Sequence, residues 1–327
     1  MVGSLATVAH DAPHPNVRQI EPWRDGRQLA ALLESAFAHD AIDASGHRMI
    51  DMLRNYGQFE PMTFGFGTSF VWVEEGKLLG NASIQRNPMR RDTWIIGNVA
   101  TDVAHRGRGI ALAVMHACLA YARQRSARHI ALQVDKGNDA AVNLYRKLCF
   151  VETGEVMYYL RQSVRNTPVI PEAMLTPALT IRPARWSDKS AIWRIARENI
   201  PDVLTYSEPF DGAVYRLGLR WSLFNSLHGN PERWFILARA GGDDDAVAGA
   251  RTRVNIDGTH HHLELMLSDE VSAEHGAALL ERALTRFEPY VSKPVYAAQS
   301  RPHDNAHAAL SRVGFSPARH LVHMRLD

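Results

Sequence analysis

The stretch from Val99 to Ala111 constrains this chain more than any other. It leads from apolar strand residues, Val99-Ala100-Thr101, through the turn Asp102-Val103-Ala104-His105-Arg106-Gly107-Arg108-Gly109 to Ile110-Ala111, at the head of a helix-forming run. Within that run Leu112, Met115, Leu119 and Ala122 recur at helical spacing up to Arg123. The first amides of such a helix have no intrahelical acceptor, so they point back into the turn and carry roughly half a positive charge. Gly107 and Gly109 let backbone approach a ligand closely, while Arg106 and Arg108 offer charge-assisted hydrogen bonds. A strand, a basic glycine turn and a bare helix start together make a site for pyrophosphate. Gly109 is followed by Ile110 and not by the Lys-Ser or Lys-Thr of nucleotide phosphate loops, and the dinucleotide-fold spacing is absent.

Arg106-Gly107-Arg108-Gly109-Ile110-Ala111 fits the pattern R/Q-x-x-G-x-G/A, and on these residues the chain resembles the GNAT superfamily of acyl-CoA-dependent N-acyltransferases. Asn98-Val99-Ala100-Thr101 resembles that family's central strand. Downstream, Ile130 to Asp135 reads as a strand, Asn138 to Leu148 as a helix and Phe150 to Leu160 as a final strand. Asn138, Ala141, Leu144, Tyr145 and Phe150 resemble the family's second signature segment, with Cys149 in place of the glycine usual before that Phe. The resemblance implies that acetyl-CoA is the acyl donor. It also implies that Arg106, Gly107, Arg108, Gly109, Ile110 and Ala111 hold pyrophosphate, and that the backbone of Val99, Ala100 and Thr101 holds the pantetheine arm and thioester. Asn138 is then expected to bond the arm, and Tyr145 to contact the cofactor and donate a proton to the leaving sulfur.

The 327 residues are enough for two domains of ordinary size. Residues 1–16 read as a flexible leader and 17–162 as an N-terminal GNAT domain. Within the latter, Asp25 is expected to cap a helix carrying Leu29, Leu32, Leu33, Ala36 and Phe37, and a second helix is expected through Met49, Ile50, Met52 and Leu53. A hairpin is expected around Glu75-Gly76-Lys77. Pro168, Pro171 and Pro177 mark 163–178 as a linker. The same order of elements then starts again, so 179–327 is read as a second GNAT-like domain. The fold class expected is α/β (α+β), two tandem GNAT folds, each a mixed central sheet flanked by helices. This plan resembles tandem members such as mycothiol synthase, whose reactive half is the second.

The two copies differ where ligand would bind. Aligning Gly276-Ala277-Ala278 with Gly109-Ile110-Ala111 puts Ala273, Glu274 and His275 where the first copy has Arg106, Gly107 and Arg108. Aligning Gly314-Phe315 with Cys149-Phe150 puts Leu310 opposite Tyr145. The second copy therefore reads as degenerate for acetyl-CoA.

A net charge of +2, with opposite charges mixed along the chain, gives no reason to expect a nucleic-acid or membrane partner. No apolar run reaches the ~20 residues of a membrane helix, and Cys118 and Cys149 form no metal or disulfide spacing, so a cytoplasmic protein is expected. No metal site is expected: His260, His262 and Glu264 share a strand face but lack a second ligand cluster. Tyr206, Phe210, Tyr215, Trp221 and Phe224 form an aromatic stripe read as core or as one wall of an acceptor pocket.

Acetyl transfer to an amine requires a neutral nitrogen, a polarised carbonyl and a proton for the departing thiolate. Tyr145 is the candidate acid, since a phenol with a reference pKa of ~10 carries a proton at neutral pH. The base stays open among Glu74, Glu75, Asp102, His105, a water chain, and a desolvated amine that loses its proton unaided. The expected function is an acetyl-CoA-dependent N-acetyltransferase acting on a primary amine, of a small molecule, by direct attack in a ternary complex. A non-catalytic acyl-CoA sensor and a protein N-terminal or lysine acetyltransferase are the alternatives, and a homodimer is left open.

Overall fold

The computed structural model describes residues 14–37, 68–163, 179–208, 215, 231–239, 246–256, 259–300 and 303–327. The helix expected over residues 49–53, the body of the linker, the hairpin loop at 241–245, and Phe210, Trp221 and Phe224 lie outside them. The chain forms two compact units. One comprises Met1–Thr153, Tyr206–Pro209 and Val322–Asp327, the other Gly154–Thr205 and Phe210–Leu321. This grouping differs from the sequential division at 162 and 179, because each unit includes chain from both halves.

The first unit is built on β1 (Val17–Gln19), β2 (Thr68–Glu74), β3 (Lys77–Arg86), β4 (Thr93–Thr101) and β5 (His129–Asp135), adjacent in that order. The strands up to β4 are antiparallel, and β4 and β5 are parallel. Val322–Leu326, the end of β12 (Ser316–Leu326), follows β5. The β2–β3 turn is the expected hairpin: Glu75 and Gly76 both take positive φ, 50° and 77°, as a tight two-residue turn demands.

Helix α1 (Pro22–Ala36) packs Leu29 and Leu33 against Val71, Leu78 and Ala100 on one sheet face. On the other face α2 (Ile110–Arg123) buries Ile110, Val114, Met115, Cys118, Leu119 and Ala122. A fully buried side chain of this kind contributes about 1.5–3 kcal/mol. Leu112 does not join this stripe, because the helix turns it outward, 38 % exposed. At Gly80 the side chain of Ile110 packs directly on the strand: a Cβ there would lie 2.3 Å from Cγ2 of Ile110.

Asp25 is not the N-cap of α1. Glu21 holds that position, and Asp25 lies inside the first turn, where its buried carboxylate accepts from the Glu21 N–H at 2.8 Å and pairs with both Arg18 guanidinium nitrogens. Burial pushes its pKa up, but the Arg18 and Glu21 hydrogen bonds outweigh that and hold it below the usual carboxylate range. The second unit repeats the clamp with Arg182 and Asp188.

In the second unit β7 (Leu179–Pro183), β8 (Glu232–Arg239), β9 (Ala246–Arg253) and β10 (His261–Leu267) are antiparallel in sequence. The strand β11 (Val295–Ser300) runs parallel to β10 and is followed by the Gly154–Arg161 part of β6 (Val151–Arg161). Helix α4 (Lys189–Asn199) covers one face. On the other, α5 (Ala273–Leu284) and α6 (Asp304–Arg312) pack around Leu263, Leu265, Leu279, Leu280 and Phe287. Both units thus repeat one mixed sheet with helices on both faces.

Candidate active site

The parallel pair β4–β5 opens where the glycine turn follows. Its ladder runs from Thr93↔His129 to Ile96↔Leu132 and stops, although β4 continues to Thr101 and β5 to Asp135. The β3 side of β4 is irregular over the same stretch. There Asn81 pairs with Ala100 but Ser83 pairs with Gly97, so Asn98 and Val99 together oppose Ala82 in a β-bulge. Asn98 takes φ 52°, a left-handed conformation that a short polar side chain tolerates better than most. Beyond the bulge, the Asp102 N–H bonds Leu79 O at 2.9 Å and Thr101 faces Gly80. Ladder alternation then turns the N–H and C=O of Thr101 away from β3, toward the side that β5 has left.

The turn leaves β4 through a single 3₁₀ turn, Val103–His105, and enters α2 at Gly109. Gly107 and Gly109 have φ near +78° and +79°, both are exposed, and a Cβ built at either would meet no atom within 4 Å. The N-cap of α2 is Gly109, and no side chain among the described residues caps the helix start. Open backbone, two glycines and uncapped amides fit a pyrophosphate group. Arg106 is exposed and makes no hydrogen bond or ion pair with the described residues. Arg108, expected to be available, is held: its Nη2 donates to both Glu74 oxygens at 2.9 Å.

Helix α3 (Asp139–Lys147) starts just past the end of β5, so Asn138 and the glycine turn emerge at the carboxyl ends of the same parallel pair. The Asn138 Oδ1 caps α3 by accepting from Ala141 N at 3.1 Å, and its Nδ2 has no partner among the described residues. Tyr145 is buried in the cluster that also holds Ile110, Val134 and Val142, with Val99 packed against it. Its ring tilts against Phe150, centroids 6.1 Å apart. Burial pushes its phenol up to about 12. Its hydroxyl has no hydrogen-bond partner among the described residues. Ala100 faces the other way, into the α1 cluster, so only its backbone can serve a ligand in the opening. Thus the structure brings Val99, Ile110 and Tyr145 into one cluster, sets Thr101, Arg106, Gly107, Arg108, Gly109 and Ala111 along the opening and the turn after it, and leaves Asn138 exposed at the α3 start.

Two of the four candidate bases have occupied carboxylates. Hydrogen bonds from Arg108 and then Trp72 lower the pKa of Glu74. Asp102 lies 2.5 Å from His105 Nδ1 and is lowered chiefly by that bond. Glu75 and His105 sit in the hairpin and the turn, respectively.

Asn81 is a site residue that sequence reading misses. It is completely buried, and its Nδ2 donates to the bulge carbonyl, Asn98 O, at 2.8 Å and weakly to Ser83 Oγ at 3.4 Å. Its Oδ1 is buried with no hydrogen-bond partner among the described residues, which costs about 1–3 kcal/mol. The only signal in the sequence is one carboxamide within the strand Leu78-Leu79-Gly80-Asn81-Ala82-Ser83-Ile84.

The second unit closes the same region with its own side chains. Its β10 pairs with β9 from His262↔Arg253 to Leu267↔Ala248 without a bulge, and Gly249 stands where β3 has Asn81. Leu267 matches Thr101, because Ser268 N bonds Val247 O just as Asp102 N bonds Leu79 O. Both polar groups of Leu267 are taken: Asn199 Nδ2 donates to its carbonyl at 2.8 Å, and Asn199 Oδ1 accepts from its N–H at 3.0 Å. The Gln299 Nε2 donates to Leu265 O at 2.7 Å. Counting from the clamp aspartates and from the last parallel pairs, the first unit has Ala36 and Val134 at these positions.

The alignment of Gly276 with Gly109 does not hold. Gly276 lies inside α5, where a Cβ would sit 3.0 Å from the Cβ of Ala309, and the helix start is capped by Ser272. The connection to α5 runs only from Ser268 to Ser272, against Asp102 to Gly109 in the first unit. Leu310 does match Tyr145, since Phe315 N bonds Leu310 O as Phe150 N bonds Tyr145 O, both at 3.0 Å. Glu264 is bonded by Tyr215 and Arg251, burial pushes His262 down to about 3, and no group of three or more metal-ligating side chains is found among the described residues.

In the first unit a mixed sheet has a central parallel pair that opens above a glycine-rich helix start. Residues 28–150 of the chain match the model of the acetyltransferase (GNAT) family. A curated relative, N-acetyltransferase family 8 member 3 of Rattus norvegicus, is 27% identical over 107 residues, 31% of this chain and about half (47%) of the relative's own length. Across nearly the whole chain the fold is similar to that of a GCN5-related N-acetyltransferase from Sphaerobacter thermophilus, with TM-score 0.65, 14% identity and 94% of each chain covered. It is also similar to a tandem GNAT protein from the clavulanic acid biosynthesis pathway, with TM-score 0.58, 13% identity, and 94% of this chain and 97% of that one covered. The chain is a tandem GNAT fold. No helix among the described residues is long and apolar enough to cross a membrane.

Proposed function

We propose that the chain is an acetyl-CoA-dependent N-acetyltransferase acting on a primary amine of a small molecule, with its acyl-donor site in the first unit. The observation that carries this reading is the β4–β5 opening beside the exposed Gly107 and Gly109 turn and the uncapped start of α2. Uncapped amides and Arg106 would take the pyrophosphate. Thr101, with its N–H and C=O turned toward the opening, would hold the pantetheine amides, and Asn138 Nδ2 is placed to add a donor. The second unit, with its backbone groups bonded by Asn199 and Gln299, would serve as a degenerate partner that binds no acyl-CoA. The free thiols Cys118 and Cys149 are compatible with a reducing cytoplasm.

In this reading the neutral amine nitrogen attacks the thioester carbonyl, a C–N bond forms and the C–S bond breaks. Positioning both partners supplies several kcal/mol toward that step. Tyr145 gives its phenol proton to the departing sulfur, and the amine loses its extra proton to water. The high pKa of Tyr145 keeps that proton in place at neutral pH. Amine desolvation in the opening favours the neutral nucleophile without a dedicated carboxylate, in keeping with the occupied state of Glu74 and Asp102.

The test is amine-dependent release of free thiol from acetyl-CoA. Arg106→Ala should raise the KM for acetyl-CoA by about tenfold with little change in kcat, and Tyr145→Phe should lower kcat by about 10²-fold or more with little change in KM. Unchanged kinetics in either variant would refute the role given to that residue. The ties on Glu74 and Asp102 also favour a second reading, a non-catalytic acyl-CoA sensor; binding of acetyl-CoA with no thiol release across a panel of small amines and peptides would select it.

A further inference from the structure

We infer that Asn81 is a positioning residue for the acyl-donor site: its buried carboxamide holds the Asn98 bulge, and the bulge sets the direction in which Val99 to Thr101 leave the β5 ladder. The inference rests on the acyltransferase reading above. Three observations carry it. Asn98 is held at a positive φ that a regular strand does not use, and the Asn81 Nδ2 bonds its carbonyl at 2.8 Å. The β4–β5 ladder ends at Ile96↔Leu132, two residues before that carbonyl. In the second unit the position of Asn81 is Gly249, which offers no donor, and there the β9–β10 pairing runs through without an extra residue. Bracket and bulge are thus present together in one unit and absent together in the other.

The carboxamide is otherwise hard to account for. Asn81 is fully buried and leaves its Oδ1 without a partner among the described residues, so an apolar side chain of similar size would suit this interior better. What the amide supplies is a donor aimed at one carbonyl. Ser83 extends the bracket, since its hydroxyl lies 3.4 Å from the same Nδ2 and 2.8 Å from the hydroxyl of Ser69. The backbone at 98 is thereby tied through a line of polar side chains to β2, away from the opening where Thr101 would meet the ligand.

The experiment uses the full chain with Asn81→Ala, and with Asn81→Ser as a smaller change that retains a hydroxyl donor. Hydrogen exchange across Thr93–Thr101, without ligand, should be faster in Asn81→Ala than in the parent chain, with Asn81→Ser intermediate. The KM for acetyl-CoA should rise by about tenfold in Asn81→Ala while the KM for the amine stays within about twofold. Unchanged exchange, or a KM that rises equally for both substrates, would overturn the inference. So would loss of folding in both variants, because Asn81 would then be holding the sheet as a whole. The exchange measurement needs no ligand, so it judges the bracket even if the parent chain fails to bind acetyl-CoA, a result that would count against the acyltransferase reading alone.

Discussion

Cys149 holds a backbone conformation that its own side chain opposes. It ends α3 at φ 65°, with Cys149 N bonding Arg146 O and Phe150 N reaching back to Tyr145 O, the geometry that glycine usually provides. The second unit ends α6 with the same pair of bonds and uses Gly314 at φ 81°. Left-handed backbone costs a non-glycine residue about 1–2 kcal/mol, part of which glycine returns through its larger unfolded-state freedom. Cys149→Gly should therefore stabilise the protein by about 0.5–1 kcal/mol, and Gly314→Ala should destabilise it by a similar amount, both read as shifts in unfolding midpoint. Equal signs for the two would contradict the account. The Cys for Gly exchange is readable in the sequence because Phe150 and Phe315 mark the register. Asn81 is not, since its meaning depends on which residue of a neighbouring strand it faces.

At the scale of elements, α2, β4, β10 and the hairpin at Glu75 and Gly76 are legible because apolar period and turn chemistry are local properties. What is not local is hidden. The bulge at Asn98 arises from a count of residues on two strands. Gly276 looks like a phosphate-turn glycine but is small because α6 packs against it. The last strand is the clearest case: Val322, Met324 and Leu326 alternate as any half-buried strand would, yet they fill the first unit's core.

The same strand carries His323, fully buried, whose Nδ1 lies 2.6 Å from the Ser207 hydroxyl. Burial pushes its pKa down to about 4. Because the folded state binds the proton less readily than the unfolded state, His323 contributes full stability above about pH 6.5, and that contribution is lost as pH falls through about 4. The loss is on the order of 3 kcal/mol. His262 acts in the same direction in the second unit. His323→Gln should therefore flatten part of the fall in unfolding midpoint between pH 6.5 and 4, and an identical pH profile would show that His323 does not titrate on unfolding.

At the scale of the whole molecule, one fold occurs twice and is finished in two ways. The first unit adds a residue to its central strand, lengthens the turn that follows and leaves the helix start bare. The second keeps its strand regular, shortens the turn, caps the helix with Ser272 and bonds its free strand groups with Asn199 and Gln299. The repeat was legible in the sequence, whereas the charge asymmetry was read there through an alignment at Gly276 that the structure does not keep. The means of closure was not legible, because Asn199 and Gln299 are ordinary polar residues until the fold sets them against Leu265 and Leu267.

The central claim is that one half of this chain binds acyl-CoA and the other does not. Calorimetric titration of acetyl-CoA into the full chain tests it most directly. The account predicts one site per chain, weakened by Arg106→Ala and left intact by Asn199→Ala. Two sites per chain, or none at millimolar ligand, would contradict it.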